Sequence, residues 1–236
     1  MTAIAAPRFL QSTVGKKVVM AVTGIILFGF TIVHMLGNLQ IYLGPAKFNA
    51  YAHFLKSIPS LLWGTRAILF ISVMLHIITA VQLSALAGSA RPKAYSFRRW
   101  RSASYASRTM MLSGPLLALF IVYHLLHFTT GQAHPHFIKQ DAYWNFVTGF
   151  KVAWTAAAYV VCMLALGLHL IHGVYSASQS LGLRTARTAP VFKLVAYALT
   201  LVLVAANISM PIAVQAGVIK LHVPTTDVPP VVVGVR

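Results

Sequence analysis

Leu166-Gly167-Leu168-His169-Leu170-Ile171-His172-Gly173-Val174-Tyr175 lies inside an apolar run long enough to cross a bilayer. It places two imidazoles at i and i+3, near one face of a helix. An ionisable side chain in the hydrocarbon region is costly and marks a functional position by default. Three other apolar runs carry a histidine of the same kind, so the question is what four such groups hold between them.

The bulk numbers set the class. The chain has 236 residues, 58% of them hydrophobic and only 9% charged, against about 25% charged in a soluble domain. Mean hydropathy is +0.76. This predicts an all-α polytopic membrane protein, one membrane domain over residues 1–236. Five transmembrane helices are expected at about 16–39, 62–87, 107–130, 150–178 and 190–216. The net charge of +17 does not imply nucleic acid, because the basic residues sit between the apolar runs and not on one patch. Asp141 and Asp227 are the only acids, and Cys162 is the only cysteine. There is therefore no disulfide framework and no Cys-x-x-Cys-His for covalent heme. Lys16-Lys17 before the first run could mimic a signal peptide, but the run is too long and lacks a small-residue cleavage site. It is read as a first span that stays. No internal repeat is read, beyond a His-x-x-His shared by the third and fourth spans.

The connections are uneven. Residues Met1 to Gly15 form a polar or amphipathic lead-in. Gln40 to Leu61 holds a Gly44-Pro45 turn and a short surface helix from Lys47 to Lys56. The segment Arg91 to Arg108 is the most basic in the chain, Gly131 to Gly149 is read as a connection, the fifth span is expected to kink near Pro211, and the tail Lys220 to Arg236 is rich in Pro and Val. Twelve basic residues fall on the side that holds the N-terminus and seven on the other. The positive-inside rule then places the N-terminus in the cytoplasm and the C-terminus outside.

The first four spans carry His34, His76, His124 with His127, and His169 with His172; the fifth has none. His34 and His124 each lie 11 residues before a proline beyond the outer end, Pro45 and Pro135. His76 lies 17 residues after Pro59, and His169 lies 18 after Lys151. At a helical rise of about 1.5 Å per residue, the first two sit about 16 Å from their outer markers and the second two about 26 Å. The histidines thus sort into an outer layer, His34 with His124, and an inner layer, His76 with His169. A zinc or di-iron site wants three or four ligands, commonly with carboxylates, and no span holds one. Heme iron takes two axial ligands on opposite faces, and histidine supplies both. Two layers therefore point to two b-type hemes without covalent links. Gly24, Gly29, Gly37, Gly167 and Gly173 would let a flat macrocycle approach the backbone, or equally let helices pack. His127 and His172 could replace their neighbours as ligands or hydrogen-bond a heme propionate. His124 and His169 give the closer depth match, since moving to His127 shifts the ligand by about 4.5 Å.

Three blocks then resemble a known family: Ser12-Thr13-Val14-Gly15-Lys16-Lys17, Val33-His34-Met35-Leu36-Gly37-Asn38-Leu39-Gln40, and Gly44-Pro45 with Phe48-Asn49-Ala50-Tyr51-Ala52-His53-Phe54. With His124-Leu125-Leu126-His127-Phe128 and His169-Leu170-Ile171-His172-Gly173-Val174-Tyr175, they resemble the di-heme cytochrome b anchor of bacterial succinate dehydrogenases and fumarate reductases, from about Ser12 to Pro211. The resemblance implies a five-helix subunit with two bis-histidine hemes, with His34, His76, His124 and His169 on the ligand positions. It implies a flavoprotein and an iron–sulfur subunit docked on the cytoplasmic face of the bacterial inner membrane. Electrons would pass through the hemes to or from a quinone, usually menaquinone, in the respiratory chain and tricarboxylic acid cycle. Higher oligomers of the complex are compatible with it. The basic Arg91 to Arg108 loop would face the docking surface or lipid headgroups. Some relatives use membrane glutamates for proton transfer; this chain has no Glu. Asn49, Tyr51 and His53 are candidates for a quinone site at the outer end, and a site near the iron–sulfur subunit is equally open.

Alone, such a subunit has no flavin or succinate site and would not oxidise succinate. The alternatives are another di-heme membrane cytochrome, a histidine-relay proton channel or transporter without heme, and a heme-free structural anchor. Transporters often show inverted repeats and broken helices, and neither is read here.

Overall fold

The computed structural model describes residues 9–90 and 104–221. The lead-in before Phe9, the basic segment from Arg91 to Ala103, Asp227 and all but the start of the C-terminal tail lie outside the described residues. Among the described residues every regular element is helical. Five helices are long and apolar enough to cross a membrane: Thr13–Leu43, Pro59–Ser89, Met110–Thr129, Ala153–Ser180 and Ala189–Gln215. The chain is an all-α, polytopic membrane bundle.

Apart from a one-turn helix at Tyr105–Arg108, the elements in chain order are α1 (Thr13–Leu39, extended by a 3-10 turn at Gln40–Leu43), α2 (Pro45–Lys56), α3 (Pro59–Ser89), α4 (Met110–His124), α5 (Ala142–Lys151), α6 (Ala153–Ser180) and α7 (Ala189–Gln215). A π-helical turn, Leu125–Thr129, continues α4. Local chemistry sets the starts. Ser12 Oγ accepts from the Gly15 amide at 3.0 Å and caps α1, while Asp141 Oδ1 accepts from the Trp144 amide at 2.8 Å and caps α5. Proline stands in the first turn of α2, α3 and α7, where its missing N–H has no cost.

Helix α6 is central. It packs on α1, α4 and α7, while α1 also packs on α3. The faces turned away from these contacts are apolar: Phe70, Leu112 and Leu201 are 67%, 73% and 71% exposed. Such surface suits hydrocarbon and not water. The densest core lies at the end of the bundle that carries α2 and α5. There Ile41, Phe48, Tyr143, Phe146, Val147, Phe150 and Met210 bury the surface helices α2 and α5 against the spans.

Two details differ from expectation. The fourth span begins at Ala153 and not at Phe150, because Val152 is extended and breaks the chain into two helices. The segment before it is not a plain connection. Tyr143, Phe146, Val147 and Phe150, at i, i+3, i+4 and i+7, form a buried stripe that lays α5 across the bundle before the chain turns into the membrane. Helix α7 extends from Ala189 to Gln215 and contains Pro211.

Beyond the shared His-x-x-His, the spans show a further correspondence of residues. Thr23-Gly24, Phe30 and His34 in α1 match Ser113-Gly114, Phe120 and His124 in α4, each 90 residues on. His76-Ile77-Ile78 in α3 matches His169-Leu170-Ile171 in α6. Each half runs span, surface helix, span: α1–α2–α3 and α4–α5–α6. The two halves run in the same direction through the membrane, unlike an inverted repeat.

Candidate functional site

The four span histidines meet in two pairs. His34 and His124 have ring centroids 5.7 Å apart with planes at 90°. His76 and His169 have centroids 6.2 Å apart with planes at 56°. Each pair joins repeat-equivalent helices, α1 with α4 and α3 with α6. These combinations lie outside the set of closely packed neighbours, so each pair reaches across the bundle from helices held apart by others.

The distance between rings is compatible with a shared ion. Two imidazoles on opposite sides of one metal ion, each with a bond of about 2 Å, place their centroids about 6 Å apart. Both pairs have that spacing. Among the described residues no group of three or more His, Cys, Asp or Glu side chains gathers into a metal site. Each pair offers two nitrogens, a donor set that would suit an ion whose remaining positions are filled by a macrocycle.

The orientation of the rings supports the same use. His76 Nδ1 lies 3.2 Å from Thr23 Oγ1 and 3.1 Å from the Met20 carbonyl. His169 Nδ1 lies 3.3 Å from Ser113 Oγ. His124 Nδ1 lies 3.3 Å from the Tyr159 hydroxyl. In these three rings Nδ1 is engaged and Nε2 is left for a ligand, and a hydrogen bond on the second nitrogen is the usual support of a metal-bound histidine. His34 is held by stacking on Phe30, 5.3 Å away and 18° from parallel.

These supporting groups were not anticipated, yet a signal for them exists. Thr23 and Ser113 each lie 11 residues before a span histidine, close to three helical turns and so on the same face. Each hydroxyl serves the inner histidine of its own half. Tyr159 carries no such mark, because nothing in its local sequence distinguishes it from a core aromatic.

His127 is fully buried and is placed behind the outer pair, not in it. Its Nδ1 lies 3.0 Å from the same Tyr159 hydroxyl, and its Nε2 has no hydrogen-bond partner among the described residues. Tyr123 stacks on it at 5.5 Å and His134 at 4.9 Å. A Cβ on Gly149 would come within 2.9 Å of its Nε2, so only glycine lets α5 lie this close. His134 is locked from both sides: its Nε2 donates to the Asn145 carbonyl at 2.7 Å, and its Nδ1 accepts from the His136 amide at 3.0 Å. Burial lowers the pKa of His134, the Asn145 carbonyl opposes this, and His136 adds to the lowering. His172 is half-buried on α6, one turn inward of His169.

The remaining candidates do not gather around one point. Asn49 is a clamp between α2 and α5: its Nδ2 donates to Asp141 Oδ1 at 2.9 Å and its Oδ1 accepts from the Tyr143 amide at 2.9 Å. Tyr51 lies on Gly37, where a Cβ would meet its ring and hydroxyl at 2.7 Å. His53 is exposed on α2. Of the five glycines, Gly37 and Gly167 serve packing, against Tyr51 and against Val204 with Thr200. Gly24 lies against the His76 ring, and Gly29 and Gly173 have no atom within 4 Å of an added Cβ.

The Asp141–Asn49 clamp makes a testable case. Asp141→Ala removes the α5 cap and strands the Asn49 amide. Losing a cap costs about 1 kcal/mol and an unpaired buried amide about 1 kcal/mol more. The thermal midpoint in detergent should fall, and limited proteolysis should cut first between α4 and α5, with the histidine pairs retained.

Residues 87–206 match the family described as Succinate dehydrogenase/Fumarate reductase transmembrane subunit. The match takes in His124, His127, His169 and His172, and stops short of His34 and His76. No curated protein and no solved structure shows a significant match to the chain.

Proposed function

The chain belongs to the succinate dehydrogenase/fumarate reductase transmembrane subunit family, and from that premise we propose that it is the two-heme cytochrome b anchor of a succinate:quinone oxidoreductase. The observation that carries this is the pairing of imidazoles across the bundle, twice, at the spacing of two axial ligands. His34 and His124 would hold the outer iron, and His76 and His169 the inner one. Bound there, two b hemes supply one-electron carriers at two depths of the membrane. The chain's own residues bind and orient: Thr23, Ser113 and Tyr159 fix the ligand rings, and the apolar spans keep water from them.

The partners in this proposal are a flavoprotein and an iron–sulfur subunit on the cytoplasmic face, with menaquinone as the quinone. The whole chain forms one membrane domain in the bacterial inner membrane, N-terminus inside and C-terminus outside. The basic residues before α4 and the α6–α7 turn lie on the docking side. Arg184 stacks over Tyr175 at 4.4 Å and Arg108 over Tyr105 at 5.7 Å, an aromatic–cation belt suited to that membrane edge. Tyr51 and His53 are the polar groups proposed for a quinone at the outer end, with Asn49 holding α2 in place.

The test is spectroscopic. The purified complex, reduced with dithionite, should show two low-spin b hemes per copy of this chain. A complex with no heme band would leave a bare anchor, and one heme would remove one of the two pairs.

A further inference from the structure

We propose that Tyr159 is the positioning residue of the outer pair: its hydroxyl joins Nδ1 of His124 to Nδ1 of His127 and sets the orientation and donor strength of His124 as an iron ligand. This rests on the two-heme function proposed above. The hydroxyl lies 3.3 Å from one nitrogen and 3.0 Å from the other. It has a single proton and can also accept, so both contacts are hydrogen bonds, and that proton is used, when it accepts from one ring and donates to the other. An iron on His124 Nε2 decides the direction. With Nε2 taken, the proton of a neutral His124 sits on Nδ1 and is donated to the Tyr159 oxygen. Tyr159 then donates to Nδ1 of His127, and His127 carries its own proton on Nε2, the buried atom that has no partner among the described residues. Ligation at His124 thus fixes the tautomer of a second histidine that touches no metal.

The chain of contacts is rigid enough to act. The Tyr159 ring is held edge-on by Phe120 at 5.0 Å and Phe150 at 4.8 Å. His127 is held between Tyr123 and His134, with its far edge on Gly149. The corresponding position in α1 lacks this arrangement. Ninety residues before His127 stands Gly37, and there the bulk comes from Tyr51 on the surface helix instead. The inner ligands receive only serine, threonine and carbonyl contacts. A hydrogen bond accepted from a ligand's Nδ1–H strengthens the ligand and favours the oxidised metal. A donor that passes its own proton onward is a better acceptor than an isolated hydroxyl.

The experiment compares the assembled complex in wild-type, Tyr159→Phe, His127→Leu, His127→Asn and His124→Ala forms, by redox titration and low-temperature EPR. The heme signal missing from His124→Ala identifies the outer heme. Tyr159→Phe keeps the ring packing and should retain two hemes, while the midpoint potential of the outer heme rises and its low-spin g-value moves. The inner heme should stay unchanged. His127→Leu should shift the outer heme in the same direction by less, and His127→Asn, which places a polar atom near the lost Nδ1, should reverse that shift. Unchanged potentials and g-values in Tyr159→Phe, or a shift of the inner heme, would overturn the proposal while leaving the two-heme function standing. A wild-type complex without heme would overturn both.

Discussion

His76→Ala is expected to remove the inner heme and to uncouple the two half-reactions of the complex. His76 is the point where α3 meets both its partner ring and α1: it faces His169 at 6.2 Å and bonds Thr23 and the Met20 carbonyl through Nδ1. Alanine deletes one of two axial nitrogens, and a five-coordinate heme without its second clasp should not stay bound through purification. The fold should persist, because α1 and α3 are held by apolar contacts along their length. In the proposed orientation the inner pair is the one nearer the iron–sulfur subunit. Loss of its heme should therefore lower succinate:quinone reductase activity by more than the roughly 10- to 100-fold typical of losing a second-shell group. Succinate oxidation by a soluble artificial acceptor should stay near wild type, since that reaction needs only the partner subunits. Heme content should fall from two to one. Quinone reduction that survives with both hemes present would show that His76 is no ligand.

The layered arrangement of the histidines is legible in the amino-acid order alone, because helical rise converts residue spacing into depth. His34 and His124 share one spacing to an outer proline, His76 and His169 lie 17 and 18 residues after Pro59 and Lys151, and the structure brings the rings of each pair together. What escaped was whatever depends on helix rotation or on the partner across the bundle. His127 looked interchangeable with His124 because i and i+3 share a face of a regular α-helix. The π-helical turn Leu125–Thr129 begins directly after His124 and carries His127 into contact with α5 and α6 instead. Wide turns of this kind leave no compositional mark and often sit at functional positions. Helix α5 was hidden for a different reason. Its stripe from Tyr143 to Phe150 runs straight into the apolar residues of α6, so a hydropathy window merges the two, and only the extended backbone at Val152 separates them. Asn49 stood as a quinone-site candidate because it lies on the connection after the first span, near the layer of His34 and His124. Its side chain is consumed by backbone and carboxylate on α5, contacts that sequence spacing of more than 90 residues does not reveal. The repeat was legible throughout in Thr23-Gly24 and Ser113-Gly114, and became meaningful only once both hydroxyls were seen against an inner histidine.

Gly24→Leu is expected to reproduce the loss of the inner heme without altering a single ligand. An added Cβ at position 24 would lie 3.2 Å from Cε1 of His76 and 3.6 Å from its Nδ1. That is already tight for alanine, and the ring cannot simply recede, because Nδ1 is tied to Thr23 and the Met20 carbonyl on the same helix. A leucine carries three more carbons into that space. Overpacking of this kind costs about 1–3 kcal/mol when the neighbours can rearrange, and here the cheapest rearrangement is to swing the imidazole out of line with His169. The ring pair would then exceed the spacing that one metal ion can bridge. Heme content should drop from two to one, the surviving signal should match that left in His76→Ala, and quinone reduction should fall with it. Gly24→Ala should be intermediate, with two hemes and a displaced inner EPR signal. Gly64→Leu, where an added Cβ meets no atom within 4 Å, should keep both hemes and full activity. A Gly24→Leu complex that retains two hemes with unshifted spectra would mean that the close approach of α1 to the His76 ring plays no part in holding the inner site.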